Sequence, residues 1–429
     1  MSLDISAVRA AFPALASGFL FADNAGGSQC LADVAARISD YLLNTNVQLG
    51  ADYPVSVTST NRVAQGAEAA RELFNAQSVD EVVFGSSSTM LVENLARAIE
   101  QDIKEGDEII ITGEHESNAG PWKRLAARTG AVLKLWPATP LAQHPDNPYA
   151  VGLQLPALLP LVSPKTRLVA FTACSNILGS VVPVQEVVAA VRAAARERGA
   201  RKVEFCVDCV AYAPHRRMDV RMWDVEYCYF SFYKVYGPHT SALYVRLAAL
   251  THSLSSLAHH FLTPAVHAKP YKLQPGGPGY ELVYGCTGVP PYLRALAGAG
   301  EGEGALEAAW DAVQRQEQAL LEPLLAYLRG RRERGVRVVG EEKPGEGRVP
   351  TVSFVVVGER AMRSRDVVRA FDAKGDVGIR YGHFYAYTLV DGLRPKLDVE
   401  DGVVRISLVH YNTVEEVRRI IEILDEVLA

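Results

Sequence analysis

Between about residue 60 and residue 250 the chain alternates short apolar runs with longer stretches of helical periodicity. The runs are EVVFG (81–85), DEIIIT (107–112), AVLKLW (131–136), RLVAFT (167–172), VEFCVD (203–208), YCYFS (227–231) and SALYV (241–245). Amphipathic segments at 89–103, 121–130 and 183–199 lie between them. Runs that are apolar on both faces and separated by helices predict an α/β fold whose mostly parallel, seven-stranded sheet is covered by helices. The last two runs are close together and fit neighbouring antiparallel strands at one end.

Outside this region the pattern changes. The first residues suit a short amphipathic helix closed by Pro13 and Gly18. Residues 270–291 are too rich in Gly and Pro for a regular element. Residues 293–335 read as largely helical, interrupted at GAGEGEG (298–304), and an α+β pattern follows with helices over 364–374 and at the C-terminus. These shifts predict an N-terminal arm (1–20) packing with the small domain, a large domain (21–292) and a small C-terminal domain (293–429), as a chain of 429 residues leads one to expect. The charged stretch 330–347 reads as a solvated turn region.

Composition narrows the class. Hydrophobic residues at 48% and charged residues at 22% exclude a disordered or collagen-like chain. With 44 basic and 49 acidic residues the net charge is −5, which gives no electrostatic reason to coat nucleic acid or an anionic membrane. No apolar run reaches the ~18 residues of a membrane span, and the N-terminus lacks the early basic region of a secretory signal. Six scattered cysteines make no disulfide framework, and Cys206 and Cys209 read as buried thiols of a strand. A cytoplasmic protein is expected.

In an open parallel sheet, ligands collect beyond the C-terminal ends of the strands. FGSSSTM (84–90) puts a glycine, three serines and Thr89 between a strand and a helix. That is either an anion site at a helix start or an N-cap with surplus hydroxyls. Asp208 ends a buried strand as a helix cap, a metal ligand or a partner for a ligand nitrogen. Lys234 follows another strand among aromatic residues, where burial would lower its pKa and suit it to Schiff-base or proton-transfer chemistry. Together these are the pieces expected around pyridoxal phosphate. No dinucleotide fingerprint, Walker motif, zincin motif or nucleophile elbow is present, so no metal is expected.

Ordered motifs along the chain resemble the class V aminotransferase superfamily, in the branch that contains the cysteine desulfurases. They are ADNAGGSQ (22–29), EHESNAGPW (114–122), CSNILG (174–179), VDCVAYAPH (207–215), SFYKVYGPH (231–239), RYGHFYA (380–386) and VRISLVHYNTVEEV (404–417). The resemblance implies fold type I and pyridoxal 5'-phosphate as cofactor. It implies Lys234 as the Schiff-base lysine that also shuttles the α-proton, and Asp208 at the pyridine nitrogen. Ser231, Tyr233 and the Ser87, Ser88 and Thr89 region would touch the phosphate. Asn176 would approach the phenolic oxygen or the substrate carboxylate. Arg405 would clamp that carboxylate, with Arg380 also on the substrate side. Asn24 and Ala25 would line the substrate entrance. Cys286 and Thr287 would reach the other subunit's phosphate, which implies a homodimer with shared active sites.

Departures from the family pattern bear on the reaction. The position of the desulfurase catalytic cysteine, two residues after His383, holds Tyr385, and a phenol cannot carry a persulfide. His383 and Tyr385 are either second acids or bases near the substrate or loop packing. The ring-stacking histidine corresponds to Glu116, and the cofactor-facing glutamine to Ala211, with Tyr212 beside it as a substitute. The leading expectation is a class V aminotransferase-like enzyme that removes the α-proton of an amino acid. The alternative is a desulfurase-like enzyme or C–S lyase acting on cysteine or a cysteine conjugate; direct release of sulfur needs no thiol acceptor.

Overall fold

The computed structural model describes residues 3–296, 298 and 304–429, so most of GAGEGEG lies outside the described residues. Seven strands build the large sheet: β1 (Val82–Gly85), β2 (Glu108–Thr112), β3 (Val132–Trp136), β4 (Thr166–Thr172), β5 (Glu204–Asp208), β6 (Tyr227–Ser231) and β7 (Ser241–Val245). Their spatial order is β1-β7-β6-β5-β4-β2-β3. Only β7 runs against its neighbours, β6 and β1; the other pairs are parallel. Each strand forms where an apolar run was read, and β6 and β7 are the antiparallel pair expected.

Strands β2, β4, β5, β6 and β7 are buried at every position, as a sheet covered on both faces requires. Strand β3 differs from expectation. It is an edge strand, and Val132, Leu133 and Leu135 are exposed. A continuous apolar run therefore does not distinguish a covered strand from an edge.

The helices used below are α1 (Ile5–Ala10), α2 (Ala32–Asn44), α3 (Pro54–Phe74), α4 (Ser88–Ala98), α5 (Gly120–Thr129), α6 (Val184–Glu197), α7 (Tyr280–Gly285), α8 (Val289–Leu296), α9 (Ala305–Gly330), α10 (Ser364–Asp372) and α11 (Val414–Val427). Helices α7 and α8 occupy the Gly/Pro-rich stretch predicted to be irregular. Pro290 and Pro291 fall in the first turn of α8, where a backbone N–H has no intrahelical partner to lose. Helix α8 also runs through position 292, and α7 packs against α2 and α3.

The smaller α+β domain has four antiparallel strands: β8 (Val336–Val339), β9 (Thr351–Val356), β10 (Arg380–Gly382) and β11 (Val403–Ser407), in the order β8-β9-β11-β10. Its core joins Leu320 and Leu324 of α9 to Val352, Phe354 and Ile406 of the sheet and Ile420 of α11. The charged stretch 330–347 is more than a solvated turn. It contains β8, and the buried Glu342 pairs with Arg332 at 2.5 Å and accepts from Asn147 at 2.6 Å. The N-terminal arm touches both domains. Arg9 binds Glu416 at 2.9 Å, whereas Val8, Phe12 and Leu15 enter the core beneath the large sheet.

Candidate active site

Strands β1, β2, β4, β5 and β6 point the same way, so the loops after them leave from one edge of the sheet. Those loops line a single cavity of about 80 Å³. Its wall holds Ser87, Ser88 and Thr89 after β1, His115 and Ser117 after β2, and Cys174 and Asn176 after β4. Asp208 and Ala211 come from the end of β5, and Ser231, Tyr233 and Lys234 from the end of β6. Residues far apart in sequence thus meet because the topology brings their strand ends together.

One end of the cavity is rich in hydroxyls at a helix start. Ser87 Oγ caps α4 by accepting from Met90 N at 3.2 Å. Ser88 Oγ lies 2.8 Å from Ser231 Oγ, which lies 2.8 Å from Ser241 Oγ. Hydroxyls and unpaired backbone N–H groups at the positive end of a helix dipole form a cradle for a phosphate-like anion.

The other wall is titratable. Asp208, 3% exposed, accepts from Val210 N at 2.9 Å, and burial raises its pKa. Lys234 sits in a tight turn after β6 and has no hydrogen-bond partner among the described residues. Burial, aided by the charge of Arg405, brings its ammonium down to about 8, with Asp208 and Asp23 opposing. A free amine is therefore accessible near neutral pH. Burial, with the charges of Lys234 and Arg405, holds His115 at about 3, so its ring is neutral. Ser117 N donates to His115 Nδ1 at 3.2 Å, which leaves the proton on Nε2.

Glu116 does not take the place expected of it. The turn Glu116–Asn118 directs it outward, where it is half exposed and pairs with Lys123 at 3.0 Å. Its neighbour His115 lines the cavity instead. Tyr212 also points elsewhere, packing edge-on against Trp223 at 5.5 Å, and only Ala211 reaches the cavity.

The small domain contributes Arg405 on β11. It is 2% exposed, donates from Nη1 to Asn176 O at 3.2 Å, and pairs through Nη2 with Asp23 at 2.9 Å. Arg380, directly opposite on β10, lies 3.5 Å from the other oxygen of Asp23 and is more than half exposed. The sequence pattern gave no sign of Asp23 here. Only the pairing of its backbone with Ser407 brings it to this place. The Phe384 ring covers Arg405 with the guanidinium 3.7 Å from its centroid.

Arg405 and Arg380 are not part of the cavity wall, and the remaining expected residues also lie outside it. Tyr385 is exposed, its ring 5.5 Å from His115, while His383 Nδ1 accepts from Tyr385 N at 3.2 Å and its ring meets Tyr387. Asn24 is buried and spends its amide on Phe21 O at 2.8 Å and Ser407 O at 3.0 Å; Ala25 N donates to Ser407 Oγ. Cys286 is buried in the core of its own chain. The Thr287 hydroxyl donates to Tyr284 O at 2.6 Å. The one thiol in the cavity wall is Cys174, which burial keeps protonated.

The profile of the family described as "Aminotransferase class-V" matches residues 20–420. The chain is 42% identical to an aminotransferase-like protein of Gibberella zeae, covering 100% of this chain and 99% of the relative. It is 32% identical to a cysteine desulfurase-like protein of Aspergillus flavus, covering 99% and 91%. The solved structure of a cysteine desulfurase from Thermococcus onnurineus superposes with a TM-score of 0.81 over 100% of this chain and 98% of that one. Its identity of 22% makes this a likeness of fold.

Proposed function

This chain belongs to the aminotransferase class-V family, and from that membership and the cavity's chemistry we propose that it breaks a carbon–sulfur bond in cysteine or a cysteine conjugate. The chain is a pyridoxal 5'-phosphate-dependent enzyme of fold type I that acts on an amino-acid substrate. The hydroxyl cradle, the buried carboxylate of Asp208 and the unpartnered Lys234 amine fit that cofactor. When bound, it supplies an electron sink that stabilises negative charge at the substrate α-carbon.

In this reading Ser88 and Ser231 hold the phosphate at the start of α4, with Ser87, Thr89 and Tyr233 beside them. Asp208 would keep a proton at the cofactor's ring nitrogen, and neutral His115 would supply an aromatic wall to its site. Lys234 would hold the cofactor and would be the group that moves the α-proton. Arg405 binds the substrate carboxylate, and Asn176 fixes the loop that faces it. Elimination of the β-substituent followed by hydrolysis converts a cysteine conjugate and water into pyruvate, ammonia and a thiol. Direct release is the favoured route because Tyr385 stands at the thiol position and the Cys174 thiol is protonated. We further propose a cytoplasmic homodimer; the six free thiols support a reducing compartment.

The observation that carries the reading is the convergence of Lys234, Asp208, His115 and the serine cradle on one cavity. The test is an absorbance spectrum of cofactor-loaded protein with cysteine, cysteine conjugates and alanine. A visible band absent from Lys234→Ala, with pyruvate and thiol formed in equal amounts from a conjugate, is expected. Conversion to the amine form of the cofactor with release of a keto acid would overturn the lyase reading in favour of transamination.

A further inference from the structure

Phe384 and Tyr385 are consecutive non-glycine residues in the left-handed region, with φ of 48° and 61°. Bulky residues avoid this region, and two in succession persist only where the surroundings over-determine them. Both are held by groups of the large domain. Asn176 Nδ2 donates to Phe384 O at 3.0 Å, and Glu116 N donates to Tyr385 O at 2.8 Å. The effect of this backbone is visible at the Phe384 side chain. Phe384 belongs to an apolar cluster with Ile177, Leu389 and Val390, and the guanidinium of Arg405 lies 3.7 Å from its ring centroid, that of the exposed Arg380 farther off at 5.4 Å.

Arg405 needs such a support. Its neighbour across the antiparallel pair is another arginine, Arg380, and like charges placed opposite each other repel. Asp23 and Asn176 O tether its two terminal nitrogens, and Nε is buried without a partner. Two tethers at one end still allow the guanidinium plane to rotate. An aromatic face against that plane stops the rotation and adds a cation–π attraction, strongest where water is excluded.

We propose that Phe384 is a positioning residue for carboxylate recognition: its ring, set by the strained backbone that Asn176 grips, fixes the plane in which Arg405 meets the substrate's α-carboxylate. The inference rests on the reading of Arg405 as the carboxylate clamp. It makes the loop at 380–386 a determinant of affinity for the carboxylate, separate from any proton transfer by Tyr385.

The test compares L-alanine with L-alaninamide, which lacks the carboxylate, by titrating the visible band of cofactor-loaded protein. Wild type binds alanine more tightly than alaninamide, and Arg405→Gln abolishes the preference; a preference that survives in Arg405→Gln would overturn the clamp reading itself. With the clamp established, Phe384→Leu, which keeps a large apolar side chain but removes the ring, and Phe384→Ala each weaken alanine binding by about tenfold and leave alaninamide unchanged. Phe384→Tyr restores the preference. Unchanged alanine affinity in Phe384→Leu, or equal loss for both ligands, overturns the role of the ring. Thermal midpoints and the ligand-free band report whether each variant is folded, and Phe384→Leu carries the test where the alanine variant is not.

Discussion

His115 and Glu116 adjoin in sequence and differ in everything else. His115 is neutral and faces the cavity, whereas Glu116 sits in water against Lys123. His115→Ala is expected to lower kcat/KM by roughly 10–100-fold, in the range of a lost ring contact or proton-transfer partner, while Glu116→Gln changes it less than about twofold. Equal losses in the two variants would return Glu116 to the site. Glu114, next in line, is buried with one oxygen unpartnered and the other accepting from Ser175 at 2.7 Å. Burial, reinforced by Asp208 and opposed by the Ser175 bond, raises its pKa to about 7. A raised folded-state pKa means that the native chain holds the extra proton between about pH 4.5 and 7. Its contribution to stability is full below that window and lost as the pH rises through it. Glu114→Gln removes the dependence, so the variant should gain on wild type by an amount on the order of 3 kcal/mol between pH 4.5 and 8. Thermal midpoints of the cofactor-free proteins across that range measure it, and parallel curves would show that Glu114 does not titrate as described.

At the scale of elements, the strand ends explain what a reader of the sequence can and cannot see. Lys234, Asp208 and the serines after β1 were legible because each follows a buried apolar run, and a parallel sheet sends all such residues to one edge. Helices α2 and α3 were not legible. The first half of α3, PVSVTSTNRV, mixes β-branched and hydroxyl residues without a clear apolar stripe, and its buried positions, Ser56 and Ser59, are hydroxyls bonded to Gln48 O and to Tyr41. Which of His115 and Glu116 turns inward depends on a single three-residue turn, below the resolution of any periodicity. Asp23 meets Arg405 across most of the chain, so no local pattern could give it. The cradle at α4 leads to a further expectation. Ser88 belongs to a buried hydroxyl chain, whereas Ser87 caps the helix. Ser88→Ala should weaken retention of the cofactor about tenfold with little change in melting, and Ser87→Ala should cost about 1 kcal/mol of stability. Dialysis followed by absorbance, alongside melting curves, separates the two; identical behaviour would mean that the two hydroxyls are not divided between ligand and helix.

Across the whole molecule, the turn that follows Asp208 is also where the two domains are tied together. His215 Nδ1 donates to Glu317 Oε1 at 2.6 Å, and Arg216 Nη1 donates to Glu317 Oε2 at 3.1 Å, while Arg216 Nη2 reaches Arg348 O at 3.1 Å. Glu317 lies on α9 with no solvent exposure. A buried arginine that loses its only carboxylate partner among the described residues keeps its charge and loses its compensation, which typically costs about 3–5 kcal/mol. Glu317→Ala should therefore destabilise the protein by roughly that amount, and Glu317→Gln by less, because an amide oxygen still accepts one of the two hydrogen bonds. The same substitution should reach the active site. Residues 209–216 form the turn that runs from Asp208 to this cluster, so loosening one end loosens the carboxylate at the other. Denaturant midpoints and cofactor affinity measured together decide the matter. Loss of both would place the Asp208 carboxylate under the control of the domain contact. Loss of stability at unchanged affinity would confine the cluster to holding the domains, and an unchanged midpoint would remove it from either role.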